Sequence, residues 1–526
     1  MKQALTVNTP VFRMPPAPFL RVAAIAVIVV ILAPSAAVTF GAFFGRAQTN
    51  ALSAAALADY IAQTGLYATT TIALALLIAL PAAWLTVMRR FPGDRIITWA
   101  LFMPLALPPY MTGYAYSHFM ETTVGVQPGG VWAAAAVTSL AVYPYIYLFA
   151  RAALRQQSRH IQSAARLMGY SPLAACRKIS WPLARPAVIV GASLALMETL
   201  GDIAIAEHYG VRSLGFGVYD LWLNRDDMFS ACRLAVLLML MVMGILTIEE
   251  YGRRKQKHYS AHSDRRFSCE NTPVTGVAKY CHAPLLFLPA AGGFFLPVGW
   301  FVYIGLQTRP ELWRAPFLEG LGGSLLLSFS VAAVLLSAAL VFCADKRQNK
   351  HGALITAPAR LSCAGYALPG AVLAQGFFLL TAWTGGSMIQ AGIGLVVLAC
   401  AARFFIIAVG ATETGLAKIS PQLDAAAKLA KQSAPGVIWR VHIPLMRPAL
   451  AMGALMVFLE TIKELPLTLI LRPLNFNTLA TVAYQYASDE SLALAAPAVI
   501  ATALIAAVAV SVLFWMEEKN LRHRAR

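Results

Sequence analysis

Two pairs of carboxylates stand inside long apolar stretches of this chain. Glu198 and Asp202 are four residues apart, and so are Glu460 and Glu464. A spacing of four places both members of a pair on the same face of a helix. Carboxylate oxygens suit a hard cation, and ionisable groups deep in an apolar segment usually mark a transport path. The four carboxylates are therefore candidates for the path of a translocated cation.

The depth of the first pair supports this prediction. Glu198 lies twelve residues after Pro186. That separation is about 18 Å along a helix at ~1.5 Å per residue. It passes the middle of a bilayer core about 30 Å thick. If the two halves of the chain face each other, both pairs line one central passage.

Ordinary pairing or hydration is the alternative to a transport role. Glu460 is three residues from Lys463 and can pair with it. Glu198 and Asp202 can lie in water at the outer mouth. Arg403 stands inside another apolar stretch, where we expect it to balance a carboxylate of the second pair in a structural role.

Other residues whose side chains could bind or react have simpler explanations. Tyr143, Tyr145 and Tyr147 either line a pore or belong to the interfacial aromatic belt, and their position near the end of an apolar stretch favours the belt. Glu207 and His208 are adjacent and suggest a metal ligand pair. Two neighbouring residues do not make a site, so we assign no metal site from the sequence.

The carboxylate pairs close a repeated segment. Residues 161–202 align with residues 423–464 without a gap at an offset of 262, and thirteen of the 42 positions are identical. The offset is about half of the 526 residues, which indicates a tandem duplication. We therefore predict two homologous halves, 1–250 and 284–526, joined by the polar and basic linker 251–283.

Composition places most of the chain in a membrane. Hydrophobic residues make up 59% of the chain, charged residues only 13%, and the mean hydropathy is +0.64. A soluble domain carries about a quarter charged residues. The sequence predicts an all-α polytopic membrane protein of about twelve transmembrane helices in two homologous six-helix halves. The apolar stretches are 22–44, 64–87, 97–119, 131–150, 186–205, 232–248, 284–306, 322–343, 361–382, 389–410, 448–470 and 493–516, of which 97–119 and 361–382 are interrupted by Pro and Gly.

The net charge of +18 is better explained by the loops of a membrane protein than by nucleic-acid binding. Lys and Arg accumulate in the cytoplasmic loops of membrane proteins. With the N-terminus inside, 33 of the 42 basic residues fall on the inner side and seven on the outer side. We therefore predict that both termini are cytoplasmic, that the lipid bilayer surrounds the chain, and that no nucleic acid binds it. The seven cysteines form no CxxC pair and are expected to stay reduced.

The repeated segments begin in two long cytoplasmic loops, residues 153–185 and 415–447. Each has small residues, then a proline, then an Arg-Pro pair at the start of the next span. Proline is tolerated in the first turn of a helix, because the N–H that it lacks would be unpaired there. A connector of about 30 residues is longer than a helix bundle needs. The excess predicts a short helix that docks on a partner.

The two loops resemble the signature of binding-protein-dependent ABC importer permeases. That signature is Glu-Ala-Ala, three residues, Gly, nine residues, Ile, one residue and Leu-Pro. Both copies keep the spacing, both lack the Glu, and the second has Lys in place of Gly. The resemblance implies that each loop couples the chain to an ATPase subunit. The matching residues are Ser163, Ala164, Ala165, Gly169 and Pro182 in the first copy and Ala425, Ala426, Ala427, Lys431 and Pro444 in the second.

A finer resemblance covers nearly the whole chain. Residues 197–222 and 460–490 resemble the ferric-iron permeases, in which two permease domains are fused in one polypeptide. This implies a type I importer fold in the bacterial inner membrane, a periplasmic iron-binding protein as donor, and two copies of a separate ATPase subunit. The chain would then be no enzyme and bind no cofactor, with ATP used by the partner. It contains no GxxxxGK[ST] loop that would cradle ATP.

Other substrates and one other mechanism stay open. Fused permeases of similar layout carry thiamine, and related ones carry polyamines or phosphonates. An ion-coupled secondary transporter would use the same carboxylates without an ATPase, but ion coupling does not require two repeated loops. A membrane enzyme is not supported, since the sequence contains no HExxH motif, no clustered histidines and no nucleophile–base pair.

Overall fold

Helices account for nearly all of the chain that the structure describes. The computed structural model describes residues 18–46, 52–155, 157, 167–254, 272–273, 278–348, 368–383, 385 and 392–525. The helices of the first half are α1 (Pro18–Phe44), α2 (Ala54–Met88), α3 (Asp94–Ala100), α4 (Pro109–Val124), α5 (Gly130–Arg155), α6 (Pro172–Ala175), α7 (Trp181–Gly201), α8 (Ile203–His208), α9 (Leu214–Tyr219) and α10 (Met228–Arg254).

The second half repeats this order. Its helices are α11 (Ala278–Ala290), α12 (Leu296–Gly305), α13 (Pro310–Gln348), α14 (Gly370–Trp383), α15 (Ile393–Leu416), α16 (Pro421–Leu429), α17 (Ala434–Val437), α18 (Ile443–Ile462), α19 (Pro466–Leu471), α20 (Leu479–Ser488) and α21 (Leu492–Ala525). Short π-helical or 3₁₀ turns join several of them: Met103–Ala106, Cys176–Ser180, Asp220–Asn224, Ala291–Phe295 and Ile438–His442.

The predicted class, an all-α polytopic membrane protein, is confirmed. Within the described part of the chain, ten helices are long and apolar enough to span a membrane, or eleven if the bent pair α3–α4 is counted as one span. The two stretches interrupted by Pro and Gly are the exceptions among the twelve expected. The stretch 97–119 is broken, and 361–382 contributes the 14-residue α14, with residues 361–367 outside the described residues.

Two consecutive prolines cause the break between α3 and α4. Pro108 and Pro109 have no backbone N–H to donate, and the ring of Pro109 pushes Pro108 out of the helical region, to ψ 146°. The two arms meet at 93°. The resulting elbow brings Pro108, Pro109 and Tyr110 to the wall of an internal cavity.

The first span of each half packs on the other half. Helix α1 contacts α10 of its own half and also α13 and α14. Helix α12 contacts α21 of its own half and also α4. Each of the two large hydrophobic cores therefore mixes residues of both halves, such as Val38 with Leu373 and Leu101 with Val499. Separating the halves would expose both cores to solvent or lipid.

One short contact ties the predicted linker to the first half. The strand β1 (Arg89–Arg90), at the end of α2, pairs in parallel with β2 (Thr272–Pro273). Helix α10 ends at Arg254 and α11 begins at Ala278, so both enter the range 251–283. The division of the chain at this linker stays a prediction.

Two equivalent glycines let neighbouring spans approach closely. A Cβ on Gly191 would lie 2.8 Å from the Cα of Ile146 in α5. A Cβ on Gly453 would lie 2.6 Å from the Cβ of Ala411 in α15. Both distances are shorter than real Cβ contacts allow. Close packing of α7 on α5 and of α18 on α15 therefore explains why both copies of the repeat have glycine here.

Candidate functional site

The predicted carboxylates lie where the repeated spans end. Asp202 follows α7, and its Oδ1 accepts a hydrogen bond of 3.1 Å from the backbone N–H of Ile205. Glu464 follows α18, and its Oε1 accepts a bond of 3.1 Å from the N–H of Leu467. Each carboxylate thus satisfies an orphan N–H at the start of the next short helix, α8 or α19. The duplicated sequence thus repeats this hydrogen bond in both halves.

The second half holds its carboxylates in ion pairs. The Lys463 ammonium lies 3.1 Å from Glu460 and donates at 3.3 Å to the Tyr145 hydroxyl. The Arg403 guanidinium donates to Glu464 at 2.8 Å, and both side chains are less than a tenth exposed. The pairing of Glu460 with Lys463, which is the alternative to a transport role, is therefore observed. Arg403 pairs with Glu464 rather than with Glu460.

A glycine makes room for the second of these pairs. A Cβ on Gly370, at the start of α14, would lie 2.6 Å from Arg403 Nη1 and 3.0 Å from Glu464 Oε1. Any other residue at this position would push the two charged groups apart. The pair is thus built from three segments of the second half that meet at one point.

Within the described residues, the carboxylates of the first half have no cationic partner. Gly201 occupies the position equivalent to Lys463, so Glu198 has no counterpart of the lysine. Among the described residues, neither Glu198 nor Asp202 forms an ion pair. The Oδ2 atom of Asp202 is buried and has no hydrogen-bond partner in the part of the chain that the structure describes. A buried carboxylate oxygen without a donor indicates a place that a cation or water fills.

Glu198 and Asp202 line a cavity of ≈ 30 Å³ between the halves, which is room for a water molecule or two. Tyr110 also lines this cavity, and its hydroxyl is buried and has no hydrogen-bond partner among the described residues. Glu460 does not line it. The remaining wall consists of Pro108, Pro109, Gly201, Arg403, Lys463, Glu464, Leu465 and Pro466. Three carboxylates meet two cations here, and both cations are paired, so the uncompensated charge is negative.

The tyrosines and the Glu207–His208 pair take other places than the sequence suggested. Tyr143 and Tyr147 are fully buried, and their hydroxyls bond Leu101 O and Thr86 Oγ1, both at 3.2 Å. They belong to the core and not to an interfacial belt, and only Tyr145 reaches the charged cluster. His208 packs edge-on against Tyr114, with ring centres 4.8 Å apart. Among the described residues, no three His, Cys, Asp or Glu side chains form a metal-binding group.

Where both loops are described, three equivalent features of their backbone recur. Gly169 has φ +77° and Lys431, its equivalent at the offset of 262, has φ +53°. The π-helical turns Cys176–Ser180 and Ile438–His442 are also equivalent, and Pro182 and Pro444 lie in the first turn of α7 and α18. The change from Gly to Lys therefore leaves the left-handed turn in place. A non-glycine residue in this region costs about 1–2 kcal/mol.

Each loop exposes a leucine just before its left-handed turn. Leu167 is 90% exposed and its equivalent Leu429 is 85% exposed. In the second copy, Ala426 is exposed and Ala427 is buried, both within α16. Ser163, Ala164 and Ala165 lie outside the described residues, and so does the side chain of Ala425. The exposed leucines are an apolar feature of both loops that the signature motif does not include.

The second loop is fastened by an anchor that the sequence did not reveal. Asp424 of α16 accepts hydrogen bonds from Arg347 Nε at 2.6 Å and pairs with His442 Nε2 at 2.8 Å. Arg347 also donates to the carbonyls of Leu416 and Ile419. Burial alone would raise the pKa of the Asp424 carboxyl, but the bonds from His442 and Arg347 outweigh it and lower that pKa. The anchor joins α16 to α13, α15 and the start of α18.

Comparison with known proteins gives a family and several relatives. Residues 72–248 match the family described as "binding-protein-dependent transport system inner membrane component". The chain is 22% identical to the Fe(3+)-transport system permease protein FbpB 2 of Haemophilus influenzae, over 82% of this chain and 84% of that protein. It is 28% identical to the molybdenum transport system permease protein ModB of Escherichia coli K12, over 34% of this chain and 88% of that protein. It is 25% identical to the putative 2-aminoethylphosphonate transport system permease protein PhnU of Salmonella paratyphi A, over 30% of this chain and 61% of that protein.

Proposed function

We infer that this polytopic chain is the permease subunit of an ATP-driven importer. Its residues 72–248 match the inner membrane component of binding-protein-dependent transport systems. One observation supports the proposal: the second half repeats the loop of the first in sequence and, where both loops are described, in backbone geometry. The left-handed residue, the π-helical turn and the first-turn proline recur at the same offset of 262. One polypeptide thus offers two equivalent docking loops.

Two copies of a separate ATPase subunit are the partners of these loops. Leu167 and Leu429 supply the exposed apolar contacts, and a symmetric pair of ATPases fits a duplicated pair of loops. ATP is bound and hydrolysed by that partner, and the permease binds no cofactor and catalyses no reaction. A periplasmic substrate-binding protein delivers the cargo on the opposite side of the inner membrane.

Helices α7 and α18 are the mechanical link. Each runs from a π-helical turn beside a loop to a carboxylate at the other end: α7 to Asp202, α18 to Glu464. A displacement of a loop by the ATPase is thereby carried along one rigid rod to the charged cavity. Because α7 and α18 come from different halves, opposite movements of the two rods open and close the cavity between them.

Ferric iron is the proposed cargo. The cavity is lined by Glu198, Asp202 and Tyr110, residues whose side chains carry the oxygen atoms that suit a hard cation. An oxyanion such as molybdate or a phosphonate would need an available cation, and the two that line this cavity are already paired with carboxylates. The similarity to an Fe(3+)-transport permease over 82% of the chain supports the same choice.

Uptake in the parent bacterium tests the function. Deleting the gene for this chain should abolish ATP-dependent accumulation of radioactive ferric iron and leave molybdate, 2-aminoethylphosphonate, thiamine and polyamine uptake unchanged. Depleting ATP should stop iron uptake, whereas collapsing the proton and sodium gradients at constant ATP should not. Loss of molybdate uptake instead would overturn the iron assignment. Uptake driven by an ion gradient would overturn the ATP-driven mechanism.

The orientation of the chain needs its own test. We propose that both termini and both loops are cytoplasmic, since 33 of the 42 basic residues then lie inside. A reporter fused after Lys257 should be active only in its cytoplasmic form, and one fused after Asn224 only in its periplasmic form. Periplasmic activity of the fusion at Lys257 would contradict this topology.

A further inference from the structure

The anchor of the second loop is a junction between helices, because both oxygens of the Asp424 carboxylate are in use. Oδ2 accepts a hydrogen bond from Arg347 Nε at 2.6 Å, and Oδ1 pairs with His442 Nε2 at 2.8 Å. Arg347 lies at the end of α13, and His442 immediately precedes α18. The Asp424 and Arg347 side chains are less than a fifth exposed and His442 is buried, so little water competes for these contacts. Charge-assisted hydrogen bonds of this kind are among the strongest in proteins.

Arg347 extends the junction to the end of α15. Its two terminal nitrogens donate to the carbonyls of Leu416 at 2.6 Å and Ile419 at 2.9 Å. The last carbonyls of a helix have no partner within that helix, and a cation there also meets the negative end of the helix dipole. Helices α13, α15 and α18 contact one another as well. Their ends therefore form one block, and Asp424 fastens α16 to it.

The Asp424–His442 pair bypasses an irregular stretch of chain. Helix α16 ends at Leu429, Lys431 has φ +53°, and α18 begins at Ile443 after a π-helical turn. A left-handed residue ends a helix and redirects the chain. A push on α16 that travelled along the backbone would therefore bend this turn before it reached α18. The ion pair connects the two ends directly, across 18 residues of sequence.

The first loop has no charged counterpart of this pair at the equivalent positions of its sequence. Gln162 stands where the second loop has Asp424, and Ser180 stands where it has His442. The Ser180 carbonyl accepts a hydrogen bond of 2.8 Å from Gln157. Gln162 lies outside the described residues. The charged pair is thus a property of the second loop, which is also the copy with Lys in place of Gly in the signature motif.

We propose that Asp424 is a positioning residue that makes α16 and α18 move as one body when the ATPase displaces the second loop. This role rests on the proposed function, because it names the contact through which the second loop drives its rod. The displacement passes from α16 through the Asp424–His442 pair to the start of α18, and along α18 to Glu464 at the charged cavity. Arg347 holds the ends of α13 and α15 at the same point.

The first test uses the purified complex of the full chain with its ATPase subunit, and it measures ATP hydrolysis with and without iron-loaded binding protein. Asp424→Asn keeps the size of the side chain and removes its charge. We expect unchanged copurification of the ATPase and unchanged basal hydrolysis. Stimulation and iron uptake should fall about tenfold, because hydrogen bonds to charged groups are stronger than neutral ones. Full stimulation with Asp424→Asn, or loss of the ATPase from that complex, would overturn the role of Asp424 in transmission.

Glu413→Gln is the matched control for this test. Glu413 of α15 pairs with Lys346 of α13, the neighbour of Arg347 in sequence, so the change removes an ion pair at the same block of helices without touching the Asp424–His442 pair. Stimulated hydrolysis and iron uptake should stay at the level of the unmodified chain. An equal loss with Glu413→Gln would show a general effect of charge removal at this block and would contradict a specific role for Asp424.

A covalent bridge in place of the ion pair distinguishes joint movement from simple stabilisation. Asp424→Cys/His442→Cys should be uncoupled, and a short bismethanethiosulfonate that links the two thiols should restore stimulated hydrolysis. Mass spectrometry confirms the bridge. The reagent should leave the unmodified chain active and should not restore either single cysteine variant. If the bridged protein stays uncoupled, α16 and α18 have to move relative to each other, and the proposed joint movement is wrong.

Amide hydrogen exchange in the full-length chain alone, in detergent, tests the anchor without the ATPase. Asp424→Asn should speed exchange in α16, whereas Glu413→Gln should not. If no ATPase copurifies with the unmodified chain, the proposed function fails, and faster exchange in Asp424→Asn still supports the fastening of α16 to α18. Unchanged exchange in α16 would overturn the anchor whatever the result for iron uptake.

Discussion

Glu198→Gln is expected to lower iron uptake severalfold while leaving the amount of extracted protein unchanged. The substitution keeps the size of the side chain and removes a negative charge from the wall of the cavity. No ion pair to Glu198 occurs among the described residues, so neutralising it leaves no cation unpaired. Its charge serves the passing cation, which loses a group that replaces its hydration. Radioactive iron uptake and the yield of detergent-extracted protein, measured side by side, check both parts.

Glu460→Gln is the matched comparison, because Glu460 is the equivalent residue in the second half. Here the change leaves Lys463 buried without its carboxylate, and breaking such a pair costs about 3–5 kcal/mol. The expected loss is therefore in yield and thermal stability. Glu460→Gln/Lys463→Met removes both charges and should recover the yield. Normal uptake by Glu198→Gln, or a stable Glu460→Gln protein that has lost uptake, would contradict this division of roles between the halves.

Leu167→Asp and Leu429→Asp are each expected to abolish uptake and to uncouple ATP hydrolysis from substrate. Both leucines are almost fully exposed, so a charge there does not disturb the folded permease. In the assembled importer the same charge would be buried in an apolar contact with the ATPase, where an unpaired carboxylate is strongly unfavourable. Because the two loops share their backbone geometry, we expect effects of similar size. The measurements are uptake, and substrate-stimulated ATP hydrolysis by the purified complex.

Leu167→Met and Leu429→Met are the controls for docking. Methionine retains an apolar, flexible side chain at the contact and should support near-normal uptake. The membrane level of all four variants should match that of the unmodified chain. Full substrate-stimulated hydrolysis with either aspartate variant would remove that loop from the contact with the ATPase.

The sequence predicted which charged residues lie at the candidate site, but it did not predict all of their ion pairs. The spacing of Glu460 and Lys463 along one helix suffices to suggest their pairing, since residues three apart are neighbours on its surface. Arg403 is 61 residues from Glu464, and the choice between Glu460 and Glu464 depended on how α15 packs against α18 and α19. The Tyr143 and Tyr147 hydroxyls meet partners on other helices, which is why an assignment to the interfacial belt was wrong.

The chain's own sequence determined the class, the duplication and the equivalence of its two loops, because these follow from composition, apolar length and a constant offset. It also marked the two interrupted spans, since Pro and Gly act on their own backbone. Only the tertiary structure decided that Glu198 and Asp202 form no ion pair among the described residues, that Tyr110 lines their cavity, and that Tyr484 meets Glu207 across 277 residues. These contacts arise where the halves fold against each other, and no local pattern records which side chains such an interface brings together.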